Sequence, residues 1–380
     1  MGPRRSRQGA KYVTDGVSFV SLFSGCGALD LGLEKAGLRC TFQCEFNPHA
    51  RAVLRYRSPE VNIWPDIQTL TGTTLPFAPV WAFGSPCQGF SRANKRNGNG
   101  IDHPASKLVR EVSRLLREVP PTERPDLLLW ENVADVFARK HAAGVARWLG
   151  ELRELGYEHG RAHFLTGWDG GVPQTRKRAL TIISRLGPVP EPTCSWNSDV
   201  PLLSSVLDYE AAGWIPEERR KSLLVACTKF WMRRHKVDER GLAESMRVVE
   251  QYRKVLLDLD MPQVATFSRV WSRNPCAERV SALVCGRECY VGIPGKGLRL
   301  LTSEEREILM GLPPGWTHRG LSENGVEYDI PEEARAQMTG NAVVVGVGKV
   351  AGLVINDVLR SLSVGKSRGA AERWGAEAPT

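Results

Sequence analysis

Apolar residues never approach the ~18 in succession that a bilayer-spanning helix needs, so the sequence predicts no membrane span. Residues 1–16 carry Arg4, Arg5, Arg7 and Lys11 but no apolar segment, which excludes a secretory signal. Met1-Gly2-Pro3-Arg4-Arg5-Ser6 fits only the loose outline of a myristoylation site, and the plain expectation is a solvated basic arm. Cysteine is sparse: nine are scattered over 380 residues, an odd set without a framework of pairs, which predicts free thiols. Neither Cys40 and Cys44 nor Cys276, Cys285 and Cys289 have the spacing of a structural zinc site, so no metal is expected and small buried core residues are. There is no internal repeat and no long low-complexity tract. With 42% apolar and 24% charged residues, wholly disordered and collagen-like chains are excluded too. The excess of 51 Lys and Arg over 42 Asp and Glu, a net charge of +9, permits a polyanionic partner without establishing one.

What is present is an alternation. Residues 17–22 predict a buried strand that enters the turn Phe23-Ser24-Gly25-Cys26-Gly27, followed by an amphipathic helix over 29–36 with Gly37 as its C-cap. Further strands are expected at 41–44, 80–83, 126–130 and 179–184. Helices are expected at 148–155 and at 107–119, the latter with Leu108, Val112, Leu115, Leu116 and Val119 on one face. This order predicts an α/β fold, a largely parallel, doubly wound sheet. Near Gly187 the character changes: Pro188, Pro190 and Pro192 mark a linker, and the alternation fades to about 299. Thr302-Ser303-Glu304-Glu305 then fits a capping box opening a helix that ends by Gly311-Leu312-Pro313-Pro314. Residues 343–362 predict one long apolar-faced helix, and 363–380 a frayed tail.

The candidate chemistry sits at strand ends. In the turn Phe23-Ser24-Gly25-Cys26-Gly27, glycines let backbone N–H groups approach a ligand at a helix N-terminus, although an ordinary tight turn has the same composition. Glu45, ending the next strand, is placed to accept from ribose hydroxyls, or is a surface carboxylate. Asp66 follows a third strand and is placed to accept from an adenine amine, or is a turn former. Together the three suggest a cofactor containing adenosine. Gly84-Ser85-Pro86-Cys87-Gln88-Gly89-Phe90-Ser91 holds a cysteine rigidly at the same crevice, where the bland alternative is a packing thiol. The polar stretch 92–104 after it reads as a loop able to close over a substrate. In Glu131-Asn132-Val133, a carboxyl against Trp130 and Val133 is placed to have a raised pKa and donate a proton, or the motif is a helix N-cap with a charged neighbour. In Gln174-Thr175-Arg176-Lys177-Arg178, period two puts Arg176 and Arg178 on one face, suited to phosphate or a base carbonyl, or on a solvated edge.

The order Phe-x-Gly-x-Gly, acidic strand end, Pro-Cys-Gln, Glu-Asn-Val, Gln-x-Arg-x-Arg and, at Gly340-Asn341-Ala342-Val343, Gly-Asn-x-Val resembles the DNA (cytosine-5)-methyltransferase family. The likeness covers most of 17–186 and 298–362. It implies a Rossmann-like methyltransferase sheet with a second, smaller irregular target-recognition lobe. The expected parts are a basic arm (1–16), a catalytic domain (17–186), a recognition domain (187–297), a return segment whose C-terminal helix packs on the catalytic domain (298–362), and a flexible tail (363–380).

The resemblance further implies S-adenosylmethionine as cofactor, held by Phe23, Gly25, Gly27, Glu45, Phe46, Asp66, Ile67, Pro86 and Asn341. Cys87 would be the nucleophile, Glu131 would bond the cytosine ring, Arg178 the base carbonyl, and Arg176 would fix Cys87 and nearby phosphate. Gln88, Ser91, Asn132, Val133 and Gln174 would line the substrate side. The partner would be double-stranded DNA bound by a monomer, with Arg233, Arg234, Lys236, Phe230 and Trp231 of the 219–254 stretch contacting it. Residues 268–284 loosely resemble the motif that packs the recognition lobe. Two departures stand out. Ala105-Ser106-Lys107-Leu108 lacks the family's Arg-Gly before the leucine, which leaves the cofactor role of Leu108 open; Gly167-Trp168-Asp169-Gly170-Gly171 replaces the usual polar-aromatic lead-in. Two rivals stay in view: the family's tRNA-directed branch, whose Cys-Phe-Thr signature is absent, and a non-catalytic DNA-binding homologue, which would have lost Cys87 or Glu131. A cytoplasmic, nucleoid-associated location is expected if the source is prokaryotic or viral, and a nuclear one if eukaryotic.

Overall fold

Phe19 on one face of the first strand and Val20 and Leu22 on the other are all fully buried, which only a sheet covered on both sides can provide. The computed structural model describes residues 16–90, 100–189, 199–225, 246, 250, 253, 265–268, 276–277, 280, 282–283, 289–293 and 295–364. Ser91, Phe230, Trp231, Arg233, Arg234, Lys236, the basic arm except Gly16, and nearly all of the 363–380 tail lie outside the described residues.

A seven-stranded sheet has the order β3-β2-β1-β4-β5-β7-β6. The strands β1 (Val17–Leu22), β2 (Leu38–Cys44), β3 (Asn62–Trp64), β4 (Val80–Gly84) and β5 (Leu127–Val133) run parallel. β7 (Lys177–Ser184) is antiparallel to β5, and β6 (His159–Thr166) is antiparallel to β7. The chain winds outward from β1 to β3, then returns to lay β4 on the other side of β1. The crevice for a ligand opens at the carboxyl ends of β1 and β4, where that direction reverses.

Period-two alternation gives each face its core. Phe19, Val80, Ala82, Leu127, Leu129, Leu180 and Ile182 join one cluster; Val20, Leu22, Trp81, Phe83, Leu128, Trp130 and Ile183 join the other. The second face is covered by α3 (Arg110–Glu118) and α4 (Ala142–Glu154). Val112, Leu115, Leu116 and Val119 of the expected face are buried there, while Leu108 falls in a 3-10 turn, Ser106–Val109. The Trp148 indole N–H of α4 donates to Ser113 Oγ of α3 at 2.9 Å, and its ring meets Trp130 of the sheet at 4.6 Å.

α1 (Ala28–Glu34) and α7 (Val345–Val364) cover the first face. They pack backbone to backbone: a Cβ at Gly32 would lie 2.5 Å from Val345 O and 2.8 Å from the Gly348 Cα. With α6 (Glu332–Asn341), α7 makes the stretch Glu332–Ser361 apolar and long enough to cross a membrane by length and composition alone. Its most apolar window is 61% buried in the protein, as a core helix on a sheet must be.

The capping box forms as expected: Thr302 Oγ1 accepts from Glu305 N at the start of α5 (Ser303–Ile308), and the Glu305 carboxylate accepts from Thr302 N. The region expected to be irregular contains a small antiparallel sheet, β8 (Ala265–Ser268), β9 (Cys276–Ala277), β10 (Cys289–Ile293) and β11 (Gly297–Leu300), in the order β11-β10-β8-β9. A hairpin, β12 (Arg319–Leu321) and β13 (Glu327–Asp329), packs on α2 (Pro48–Arg57).

Candidate active site

β1 ends in a strained turn. Phe23 takes φ 58°, a left-handed conformation costly for a bulky residue, and Gly25 and Gly27 follow at φ 57° and 80°. A Cβ at Gly25 would meet nothing within 4 Å, so the turn presents an open backbone cradle. Gly27 is the N-cap of α1 and stands outside the cleft, its α-carbon facing Leu54.

Around the cradle lies a cleft of about 490 Å³. Phe23, Gly25, Glu45, Phe46, Asp66, Ile67, Pro86 and Asn341 line it, as do Cys87, Gln88, Glu131, Asn132, Val133 and Arg178. Fourteen of the residues singled out from the sequence therefore share one cleft. Leu108, whose role the sequence left open, lines it as well.

The end of β2 is held in place by backbone N–H groups. Glu45 Oε2 accepts from Gly25 N and Oε1 from Asn47 N, both at 2.7 Å, while burial pushes the Glu45 carboxyl above its ordinary pKa. Phe46 is 74% exposed at the rim, a flat apolar face with nothing stacked on it among the described residues. Asp66 Oδ1 accepts from Gln68 N at 2.9 Å.

On the other side of the cleft, β4 delivers Cys87, β5 delivers Glu131, and β7 delivers Arg178. Arg178 Nε lies 2.8 Å from Glu131 Oε1. The contact is a close, nearly buried ion pair between β5 and β7. Burial pushes the Glu131 carboxyl up, against the pull of Arg178 and Arg176. Burial also pushes the Cys87 thiol up; Arg178 pulls it back, Glu131 adds to the rise, and Arg176 opposes it.

Arg176 and Gln174 are placed differently from the cleft residues. The Arg176 guanidinium is buried and donates to Leu283 O at 2.7 Å and Gly340 O at 2.8 Å, tying β7 to the second half of the chain and to the turn that carries Asn341. Gln174 Nε2 donates to Leu309 O at 2.7 Å. Both are polar residues that fasten segments together, and Arg176 reaches the cleft through its charge. Arg176 precedes the first residue of β7, Lys177, and does not line the cleft as Arg178 does.

Several residues that support the site carried no sequence signal. Ser85 Oγ accepts from the Trp130 indole at 2.9 Å and from Asn132 Nδ2 at 3.2 Å, fixing the Pro86-Cys87 turn against β5. Ser106 Oγ accepts from Gly89 N at 2.9 Å, so the residue departing from the family pattern holds the turn after Cys87. Asp169 Oδ2 accepts from Thr166 N and Oγ1 at 2.6 and 2.7 Å, closing the other unusual stretch on itself. The Trp316 indole donates to Cys26 O at 2.8 Å and braces the Gly25-Cys26-Gly27 cradle from behind. Apart from the local Thr166–Asp169 pair, such bonds depend on partners far apart in the chain, and hydroxyl and indole residues have no spacing that reveals them. Cys26, Cys40, Cys44, Cys87 and Cys289 are free thiols. Among the described residues no group of three or more His, Cys, Asp or Glu is placed to hold a metal.

Residues 17–356 match the family described as C-5 cytosine-specific DNA methylase. Type II methyltransferase M2.BsuMI of Bacillus subtilis (strain 168) is 28% identical over 347 residues, 90% of this chain and 76% of that protein. Type II methyltransferase M1.HphI of Haemophilus parahaemolyticus is 30% identical over 173 residues, 44% of this chain and 45% of that protein, so the match there spans less than half its length. Among solved structures, the Entamoeba histolytica methyltransferase EhMeth covers 91% of this chain and 99% of its own at 16% identity, with a TM-score of 0.60. A putative DNA modification methyltransferase encoded within an E. coli prophage has the same TM-score, 0.60, at 17% identity over 91% of this chain and 100% of its own. These two likenesses show the fold, a Rossmann-like methyltransferase sheet. With the family match running over nearly the whole described chain, this protein belongs to the C-5 cytosine-specific DNA methylase family.

Proposed function

We propose that the chain methylates carbon 5 of a cytosine turned out of duplex DNA, using S-adenosylmethionine and a covalent bond from Cys87 to carbon 6. The observation that carries this is the convergence of Cys87, Glu131 and Arg178 from three adjacent strands on the cleft that also holds Gly25, Glu45 and Phe46.

The donor set fits the cofactor. Gly25 leaves room for a ligand against the backbone, Glu45 retains lone pairs for ribose hydroxyls beyond its two N–H donors, and exposed Phe46 offers a stacking face for adenine. Asp66, Ile67, Pro86 and Asn341 complete the wall. The bound sulfonium supplies an electrophilic methyl group.

Cytosine carbon 5 is a poor nucleophile until carbon 6 is saturated. Cys87 rests as the thiol and, as thiolate, adds to carbon 6. The bond makes carbon 5 electron-rich enough to take the methyl group. Glu131, its carboxyl pKa raised by burial, bonds ring N3 and the exocyclic amine and stabilises the charge that develops on the ring. Arg178 moves from Glu131 to the base carbonyl. Loss of the carbon-5 proton then breaks the carbon–sulfur bond, returning the Cys87 thiolate and the aromatic ring. These atoms are inaccessible inside a duplex, so the base must leave the stack. Gln88, Asn132 and Val133 lie where it would enter, and 187–297 would read the flanking sequence.

Transfer of labelled methyl groups from S-adenosylmethionine to duplex DNA and, separately, to tRNA tests this reading. Label on DNA alone is expected. Label on tRNA alone would favour the RNA-directed branch, and label on neither would favour a binding role.

A further inference from the structure

Arg51 stands on α2, one turn beyond the acidic strand end, and no motif of the sequence includes it. Its Nη1 donates to Phe46 O at 2.6 Å and to Glu45 O at 3.3 Å. Its Nη2 meets Glu323 Oε1, in the loop of the β12–β13 hairpin, at 3.3 Å. The side chain is only 13% exposed although its helix lies at the surface, so the guanidinium is held between the turn and the hairpin. The two carbonyls it grips belong to the residues whose side chains face an adenosine in the reading given above.

We propose that Arg51 is a positioning residue for the cofactor, which sets the Glu45-Phe46 turn so that the carboxylate and the aromatic ring meet the adenosine together. The inference rests on S-adenosylmethionine being the ligand of this cleft. Without the guanidinium, the Phe46 carbonyl loses a short charged bond and the exposed ring loses its fixed base. The charge acts as well. Cys26 and Asp30 approach Glu45 from the β1 turn and α1, Cys44 precedes it on its own strand, and Asp66 faces Cys44 from beyond β3. His49 of α2 sets its ring 6.5 Å from that of Tyr328 in β13, and Glu323 from the hairpin pairs with Arg51 and Arg55. Arg51 is the cation that offsets these groups and favours the ionised Glu45 against its burial. Removing it raises the pH at which Glu45 protonates. Ligand affinity, which needs the carboxylate as an acceptor, should then begin to fall at a higher pH.

The test is calorimetric titration of S-adenosylhomocysteine into the full chain from pH 5.5 to 8.5, for wild type, Arg51→Ala, Arg51→Gln, Arg51→Lys and Glu323→Gln. Arg51→Ala should bind about tenfold more weakly at pH 7.5, the scale of one lost charged hydrogen bond. Its affinity should also fall off at a higher pH than that of wild type. Arg51→Gln keeps one donor but no charge, and should show the shifted profile with a smaller loss; it carries the test if the alanine variant does not fold. Arg51→Lys should restore the wild-type pH profile while recovering only part of the affinity. Glu323→Gln, at an exposed ion pair, should change affinity less than about twofold. Wild-type affinity and profile in folded Arg51→Ala or Arg51→Gln would overturn the proposal alone. No binding by the wild-type chain would overturn the cofactor reading and this proposal with it.

Discussion

Arg178 Nε approaches Glu131 Oε1 to 2.8 Å from the neighbouring antiparallel strand, while both side chains face the cleft that contains Cys87. The pair is nearly buried, at 11% and 12% side-chain exposure. Breaking one side of such a pair exposes the other to an uncompensated environment.

Glu131→Gln keeps the shape and removes the acid. Methyl transfer should fall by about 100-fold or more, the usual weight of a positioned acid or charge-stabilising group. Affinity for S-adenosylhomocysteine should stay within about threefold if Glu131 serves the base, as proposed, and not the cofactor. A parallel loss of both would place Glu131 in cofactor binding instead.

Cys87 should alkylate slowly at neutral pH. Burial holds its thiol above the ordinary range, so the rate of iodoacetamide modification at the peptide containing Cys87 should still climb beyond about pH 8.5. Arg178→Ala removes the first of the influences that favour the thiolate and should slow modification at pH 8. Mass spectrometry of the digested protein gives both rates. Faster modification in the variant would contradict the electrostatic assignment.

Asp30 predicts a pH effect on stability. It is buried in α1, accepting from Ser21 Oγ at 2.6 Å and Gln43 Nε2 at 2.8 Å, and desolvation raises its pKa from 3.8 to about 7 despite those bonds. The folded protein therefore retains a proton that the unfolded chain has already released. The resulting stabilisation is complete below about pH 4 and is lost as pH rises through about 7, by on the order of 4 kcal/mol at about 1.4 kcal/mol per pKa unit. Asp30→Asn should flatten the decline in melting temperature between pH 5 and 8. An unchanged slope would show that Asp30 is ionised throughout.

Gly32→Ala should destabilise the chain by roughly 1–3 kcal/mol, because the new methyl meets backbone of α7 that cannot rotate away. Thermal melts would show it as a drop of several degrees with the cleft chemistry unaltered. A neutral substitution would mean that α7 shifts freely along α1.

The sheet was legible because its central strands are buried on both faces and bounded by turns. The strand predicted at 17–22 is β1 to the residue, and the capping box at Thr302 forms with both of its bonds. Other elements were hidden for physical reasons. β6, partly exposed along its length, lacks a clean apolar run, and α2 begins at a proline with arginines along it. The cleft itself was legible in Cys87, Glu131 and Arg178, since each lies at or near a strand end. The bonds of Arg176 to the backbone of Leu283 and Gly340 span the chain and leave no local pattern. Ser85, Ser106 and Trp316 act through bonds to atoms distant in the chain, and Arg51 folds back on the turn before its own helix, neither of which has a sequence pattern.

The central claim is tested most directly by incubating wild type and Cys87→Ser with labelled S-adenosylmethionine and duplex DNA, then identifying the labelled nucleoside. The account predicts 5-methylcytosine from wild type, none from Cys87→Ser, and near-equal binding of S-adenosylhomocysteine by both. Label on another base, no label on any DNA, or continued turnover by Cys87→Ser would contradict it.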